Sequence, residues 1–533
     1  MLIDLKKLKS RSLLVLSVAF ALGAIGTVLY YIFFPSAAFF HSDCADTILW
    51  TQASVEGKTL FNPDFGYAAL LPFGGTAVMI PLVAIFGVGM TAQRVGMAIF
   101  TLLFFAAVFY LCKTMKLGLN RSLFAVGTLA LTLCASAKMR EIFYEHVIYY
   151  SIGILIICVL LSLYLRVTEE NSFKKRAILF AVMLVFTFAG SFDGTQVAAS
   201  AIFPVLFAGA CEIFFSKENL FSKKNLPSFL CLGSIAIVTV AGIVTVNSAT
   251  QGMGIGYANA YSSYSDMSEW VNNLMKLPKQ WCELFGVDAF FGMNMFSPES
   301  IINLVRIATA LIVALVPVAA LIFITKLERP VKMLVLTHFG MTAVIIFGYI
   351  FGILSLANWR LSPIICTGVL VCIAMMKQVS FSVPLKRTAA LVGCLFVLFG
   401  SVSVKKIVDM PRNGIEQNKY YEVVQFLESK GLNYGFATFW KSQTITVLSD
   451  SKVKVMNTDM NDDGITPCAF QTNTNWFLEQ EDVDRYFVLA DINEYFTVIQ
   501  TDDAKYFEDE PVEIIDELDG YLIFVYENTD FLY

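Results

Sequence analysis

Phe40-His41-Ser42-Asp43-Cys44-Ala45-Asp46-Thr47-Ile48-Leu49-Trp50 sets two carboxylates three residues apart, directly after the first long apolar run of the chain. An (i, i+3) pair shares one face of a helical turn. Carboxylates at the mouth of an apolar bundle are costly to desolvate, so a functional role is their default reading. The alternative is an acidic cap on a helix lying along the membrane surface. What surrounds the pair decides between them.

The 533 residues are 57% apolar and 15% charged, with a mean hydropathy of +0.66, outside the range of soluble domains. Apolar runs of bilayer-spanning length, about 20 residues, recur through the first four hundred positions. We expect eleven spans: 12–34, 94–112, 120–137, 147–165, 177–190, 194–215, 229–247, 301–324, 331–355, 362–376 and 387–404. The expected fold is therefore a polytopic α-helical membrane protein in the lipid bilayer, with residues 1–405 as its transmembrane domain. Residues 406–533 differ in kind, holding 9 Lys+Arg against 25 Asp+Glu, a net of −16, whereas the rest carries +11. An acidic domain of this sign argues against nucleic acid as a partner.

Lysine and arginine mark the cytoplasmic loops. Lys6, Lys7, Lys9 and Arg11 precede the first span, and every second loop after it is basic. Those loops carry Lys113, Lys116 and Arg121; Arg166 and Lys174–Arg176; Lys217, Lys223 and Lys224; Lys326, Arg329 and Lys332; then Lys377, Lys386 and Arg387. The expected topology puts the N-terminus in the cytoplasm and the 406–533 domain outside it, in a plasma membrane. The unusual polar residues then share the outer side: Asp43 and Asp46, Lys138, Arg140 and Glu141 with Glu145 and His146, Asp193, and Trp359 with Arg360. Four such clusters on one side read as a site. Taken singly, Asp193 has a plainer role as a helix cap, Trp359 as an interfacial aromatic, and His338 as an interhelical hydrogen bond. The outer loops 35–93 and 250–300 are long enough to be functional or disordered. Tyr257, Tyr261, Tyr264, Trp270 and Trp281 give the second an interfacial character.

In the tail, 414–430 is amphipathic and 440–449 reads as a second helix. Tyr434–Phe439, Val453–Met456, Tyr486–Leu489 and Tyr521–Tyr526 read as strands, making an α/β domain. It contains no histidine, no glycine-rich phosphate loop and no nucleophile motif. Eleven cysteines give no disulfide or zinc framework; Cys44 and Cys282 are the one pairing that remains conceivable.

From Asp46 onward an order of features emerges. An aromatic follows four residues later (Trp50), then a small residue (Ala53) and a glycine (Gly57). Leu71-Pro72-Phe73, Ile80-Pro81-Leu82 and Phe86-Gly87 come next, and Arg94 enters the second span. Over about residues 12–215 this resembles the GT-C superfamily of membrane glycosyltransferases, nearest to the protein O-mannosyltransferase-like and aminoarabinose-transferase-like members. It departs from that pattern in placing Thr47, not a second acid, after Asp46.

The resemblance implies transfer of a sugar from a polyprenyl-phosphate donor to an acceptor hydroxyl on the outer face, the acceptor being a glycan, lipid or protein. Attack on the anomeric carbon needs a carboxylate to take the proton, for which Asp43, Asp46 and Glu145 are the candidates. The departing phosphate needs fixed positive charge, and Arg360, Arg94, Lys138 and Arg140 are available. Glu141, His146, Asp193 and Trp359 complete the expected substrate site. The resemblance fixes no cofactor, and a divalent ion on Asp43, Asp46 and Glu145 suits their hard oxygen donors. Two other classes stay open: an O-antigen polymerase or ligase, which does not show the early acidic pair, and a non-catalytic envelope assembly or transport protein.

Overall fold

The computed structural model describes residues 2–216, 222–253, 263–287, 294–353, 357–378, 383–461, 464–499 and 511–532. Apart from the short helices Ala77–Phe86 and Ala137–Arg140, the helices before the tail are, in chain order, α1 (Leu2–Phe33), α2 (Ser42–Gly57), α3 (Met90–Thr114), α4 (Leu119–Thr132), α5 (Tyr149–Glu169), α6 (Phe173–Ser191) and α7 (Gly194–Phe214), followed by α8 (Leu226–Ala249), α9 (Met267–Leu284), α10 (Pro298–Ile322), α11 (Arg329–Phe351), α12 (Asn358–Gln378) and α13 (Val383–Val408). Each expected span contains a helix, with residues 354 and 355 of the span 331–355 lying outside the described residues. Among the described residues nine helices, not eleven, are long and apolar enough to cross a bilayer. The other two are α4 and α6. At 14 residues, α4 spans about 21 Å, short of a hydrocarbon core of about 30 Å. It stops early because Ser136 leaves the run to cap the next helix, accepting from Met139 N at 3.2 Å. Lys174, Lys175 and Arg176 charge the first turns of α6. The chain is a multi-pass helical membrane protein.

Contacts divide the chain into two compact units. One comprises Met1–Tyr30, Phe100–Asn247 and Tyr261–Met410; the other comprises Tyr31–Ile99, Ser248–Ala260 and Pro411–Tyr533.

The first unit is the helical one. His338 on α11 meets Thr367 on α12, Nδ1 to Oγ1, at 2.7 Å, the interhelical hydrogen bond expected of a buried polar pair. Arg329, opening α11, donates to Glu212 at the end of α7 (2.5 Å) and to Glu169 and Thr168 at the end of α5 (3.2 and 2.8 Å). Two π-turns, Glu141–Glu145 and Ala198–Ile202, interrupt the helical pattern, a local form found often at functional sites. Within the expected loop 250–300, Tyr257 and Tyr261 lie outside the described residues. The rest includes α9, whose Trp270 and Trp281 donate their indole N–H groups to Ser265 O and Ala310 O, both at 3.1 Å. Met267, Val271, Leu274 and Met275 leave one face of α9 apolar and exposed.

The second unit holds a six-stranded sheet built from β1 (Tyr434–Ala437), β2 (Lys454–Asn461), β3 (Gly464–Pro467), β4 (Tyr486–Asp491), β5 (Glu513–Ile515) and β6 (Tyr521–Tyr526). The spatial order is β3-β2-β1-β4-β6-β5, with β1 parallel to β2 and β4 and the remaining pairs antiparallel. The central strands β1 and β4 are buried almost throughout, as strands covered on both faces must be. Phe436, Val488 and Phe524 anchor the core. Three helices accompany the sheet: α14 (Tyr421–Ser429) packs on α15 (Phe439–Leu448), and α15 and α16 (Ile492–Ile499) pack on the strands. The expected helix over 414–430 is broken, with a 3-10 turn at Gly414–Gln417 preceding α14. The edge strands β3 and β5 and the helix α16 were not expected.

Residues 31–99 pack on this sheet domain rather than looping free. Asn418 donates to the carbonyls of Ala37 (2.8 Å) and Phe40 (2.9 Å). Gly66 exchanges backbone hydrogen bonds with Gln471 (2.7 Å) and Thr472 (3.1 Å). A Cβ at Gly66 would stand 1.9 Å from Ala469 O, so the approach admits only glycine. The turn after α15 holds Asp450 and Ser451 at φ +51° and +61°, a conformation unfavourable to both residues. Docking contacts hold it there: Asp450 Oδ1 accepts from Met90 N at 3.0 Å, capping α3, and Ser451 donates to Val88 O at 2.9 Å.

Candidate active site

In the second unit, α2 carries the acidic pair and is clamped along its length. Ser42 donates to Phe439 O at 2.5 Å and lies 3.1 Å from Thr444 Oγ1, which seats the first turn of α2 against α15. Gln93 on α3 donates to Cys44 O at 3.0 Å. Trp50 Nε1 donates to Gln471 Oε1 at 2.5 Å. Asp43 and Asp46 are thus displayed from a rigid helix, both half-buried. The Oδ1 of Asp46 is enclosed and has no hydrogen-bond partner among the described residues. Burial, reinforced by the neighbouring Asp43 carboxylate, raises the Asp46 carboxyl well above the ordinary range. A carboxyl so placed is a better proton acceptor than an exposed one. Arg94 lies in the first turns of α3, beside the Gln93 contact, and its Nε is enclosed without a hydrogen-bond partner among the described residues.

The remaining predicted residues fall in the first unit. Ser136 starts a short helix, Ala137–Arg140, which runs into the π-turn Glu141–Glu145. Lys138 bridges to Glu141 at 2.6 Å and covers the face of Trp359, 4.6 Å from the ring centre. Its ammonium is therefore already neutralised and positioned. Arg140 is buried and donates to Cys134 O at 3.2 Å; Glu145 and His146 are buried too. Asp193 precedes the first turn of α7 but makes no side-chain cap hydrogen bond, so the plain capping role is not realised.

Arg360 belongs to a cavity of about 210 Å³ lined also by Tyr149, Tyr150, Gln196, Ser200 and Ile345. Each element has a local reason to be there. Tyr149 and Tyr150 open α5, Gln196 and Ser200 come from the start of α7 and its π-turn, and Arg360 comes from the 3-10 turn that opens α12. The Arg360 guanidinium and the Tyr150 hydroxyl line the same cavity. A cation, two phenols, an amide and a hydroxyl beside aliphatic wall make a chamber suited to an anionic head on an apolar tail. Tyr149, Tyr150, Gln196 and Ser200 were not predicted. The available signal was a tyrosine pair at the mouth of a span.

Among the described residues no three His, Cys, Asp or Glu side chains form a metal-ligand group. Asp43, Asp46 and Glu145, the expected oxygen ligands, fall in different units, and the pair on α2 offers two oxygen ligands of the kind a hard cation takes. All eleven cysteines are free, Cys44 and Cys282 included.

No protein-family model and no curated protein sequence matches the chain. Solved structures do. ArnT from Cupriavidus metallidurans bound to undecaprenyl phosphate is similar at 12% identity and a TM-score of 0.49, over 97% of this chain and 98% of that one. The Archaeoglobus fulgidus oligosaccharyltransferase in complex with zinc and sulfate is similar at 11% identity and a TM-score of 0.48, over 93% of this chain and 71% of that one. The apo form of the same ArnT is similar at 11% identity and a TM-score of 0.46, over 98% and 99%.

Proposed function

We propose that the protein is a plasma-membrane glycosyltransferase that moves a sugar from a polyprenyl-phosphate carrier to an acceptor hydroxyl on the outer face. The observation that carries this reading is the Arg360 cavity, with its cation and phenols set beside aliphatic wall in a membrane helix bundle. In the proposed reaction the acceptor oxygen attacks the anomeric carbon, and its proton passes to a carboxylate of α2, with Asp46 the leading base. The bond from that carbon to the phosphate oxygen breaks. Its electron pair leaves with the lipid phosphate, whose charge the Arg360 guanidinium stabilises through its paired N–H donors. Asp43 keeps Asp46 basic, and Glu145 is the remaining candidate base. With α4 and α6 counted as crossings, basic residues fall in every second loop, which supports an N-terminus inside and residues 406–533 outside as an extracytoplasmic domain. The exposed apolar face of α9 suits a helix resting at the bilayer surface.

The test is transfer by the full chain in nanodiscs from a panel of polyprenyl-phosphate sugars, with donor binding followed separately. Arg360→Ala is expected to weaken donor binding by about ten- to a hundredfold, as loss of a charged hydrogen bond does. If no donor on the panel binds, or if Arg360→Ala binds as wild type does, the reading fails.

A further inference from the structure

A second cavity, about 270 Å³, lies within the sheet-containing unit, between α2 and the domain formed by the tail. Gln52 and Glu56 line it from α2; Gln443, Lys454, Gln471 and Trp476 line it from the tail. Leu49, Gln52 and Glu56 repeat the i, i+3, i+7 spacing of Asp43, Asp46 and Trp50, displaced by six residues. The two stripes therefore stand about 120° apart around α2. One helix presents carboxylates on one face and this cavity on another.

Three amide atoms in its lining have no hydrogen-bond partner among the described residues: Gln52 Oε1, Gln443 Oε1 and Gln471 Nε2. Gln443 and Gln471 are 2% and 1% exposed, and their orientations are fixed by the bonds they do make. Gln471 Oε1 accepts from Trp50 Nε1 (2.5 Å) and Ala68 N (3.3 Å), which leaves its NH2 for the cavity. Gln443 Nε2 donates to Gln471 O at 2.8 Å, and Gln52 Nε2 to Glu56 Oε1 at 2.7 Å, which leaves both carbonyl oxygens. Buried amides left unsatisfied are expensive unless something in the cavity completes them. The open set is two acceptors and one NH2 donor. A hydroxyl both gives and takes a hydrogen bond, so adjacent hydroxyls answer all three. Trp476, half-buried and fixed by its indole N–H to Glu56 at 3.1 Å, adds an apolar face. Glu56 sets a carboxylate against the single ammonium of Lys454, which disfavours an anion. The volume falls just below the roughly 300–1,000 Å³ of drug-sized sites, room for one ring.

The geometry points to a binding site for one neutral, hydroxyl-rich sugar ring. Its role as the seat of the acceptor glycan rests on the transferase reading; the binding itself does not.

The experiment is saturation-transfer NMR and thermal-shift titration of the full chain in nanodiscs, with the methyl glycosides of glucose, galactose, mannose and N-acetylglucosamine, and inorganic phosphate as the anionic probe. At least one glycoside is expected to bind saturably in the millimolar range. Gln52→Leu and Gln443→Leu should each weaken it about tenfold, the effect of one lost hydrogen bond; Gln52, half-buried, decides the matter if Gln443→Leu does not fold. No saturable glycoside binding, meaning a cavity filled by water alone, would overturn the inference. So would unchanged binding in both variants, or preference for phosphate over every glycoside. Failure of lipid-sugar transfer with glycoside binding intact would sink the transferase reading and leave this site standing.

Discussion

At neutral pH an ionised Asp46 works against the fold, because its Oδ1 is enclosed without a hydrogen-bond partner among the described residues and Asp43 stands three residues away on the same helix. Charges about 5.5 Å apart, the Cβ separation of such a pair, repel by about 3 kcal/mol at an effective dielectric near 20. Both groups being half-exposed, screening reduces this to about 1–2 kcal/mol. Asp46→Asn keeps the shape and removes the charge. It should stabilise the protein by that amount at neutral pH while cutting sugar transfer about 10²–10⁴-fold, the usual worth of a positioned base. The sign in pH follows from linkage. A carboxyl whose pKa is raised in the folded state holds its proton more tightly there than when unfolded. Wild type therefore gains stability as pH falls through the folded value, and the contribution is complete below the unfolded one. The gap between Asn variant and wild type should close as pH falls through the folded value, and wild-type transfer should climb as pH rises through the same titration. Thermal unfolding and transfer, both measured in nanodiscs across that range, check the two halves together. An Asn variant less stable than wild type at neutral pH, or one that transfers normally, would refute the reasoning.

Three further outcomes are expected. Lys441 is buried between Asp491 (3.0 Å) and Glu494; Lys441→Met leaves two carboxylates facing each other and should destabilise the tail domain by about 3 kcal/mol, read by limited proteolysis and thermal unfolding. Burial by itself raises the Asp491 carboxyl, but the Lys441 ammonium and the Glu494 backbone N–H outweigh it and hold it below the ordinary range. That contribution should be lost as pH falls through the folded value, so the tail of the wild type should loosen in acid while that of Lys441→Met changes less. Gly66→Ala drives a methyl into the Ala469 carbonyl and should cost about 1–3 kcal/mol, seen as faster proteolysis of the 31–99 segment. Asp43 and Asp46 would hold a hard divalent cation, which would supply positive charge at the site; on that reading EDTA abolishes transfer and magnesium or manganese restores it, and unchanged transfer shows that no ion is needed.

The helices were legible because length and apolarity alone specify a span, and α4 and α6 show the limit of that reading. A run can be helical and apolar yet end early at Ser136 or begin in charge at Lys174. In the tail, β1, β4 and β6 announced themselves through Tyr, Phe, Val and Ile. The edge strands did not, since Gly464–Pro467 and Glu513–Ile515 are three or four residues long and partly polar. The acidic pair was visible as chemistry at a chosen spacing. Gln443 and Gln471 were not, because an amide carries no motif and its meaning comes from which of its atoms a distant partner leaves open. The seating of 31–99 on the sheet domain was equally hidden, resting on single contacts such as Asn418 to Phe40 that no local period encodes.

That seating also sets a schedule. Ser42 and its partner Phe439 are 397 residues apart, a synthesis delay of about 20–80 s at 5–20 residues per second. Through that interval α2 has emerged without the surface that fixes its first turn, and its carboxylates have no settled environment. Ribosomes that stop short of the last quarter of the chain therefore release a membrane-inserted but unassembled product. The acidic helix therefore gains its clamping contacts only in molecules translated past Gln471.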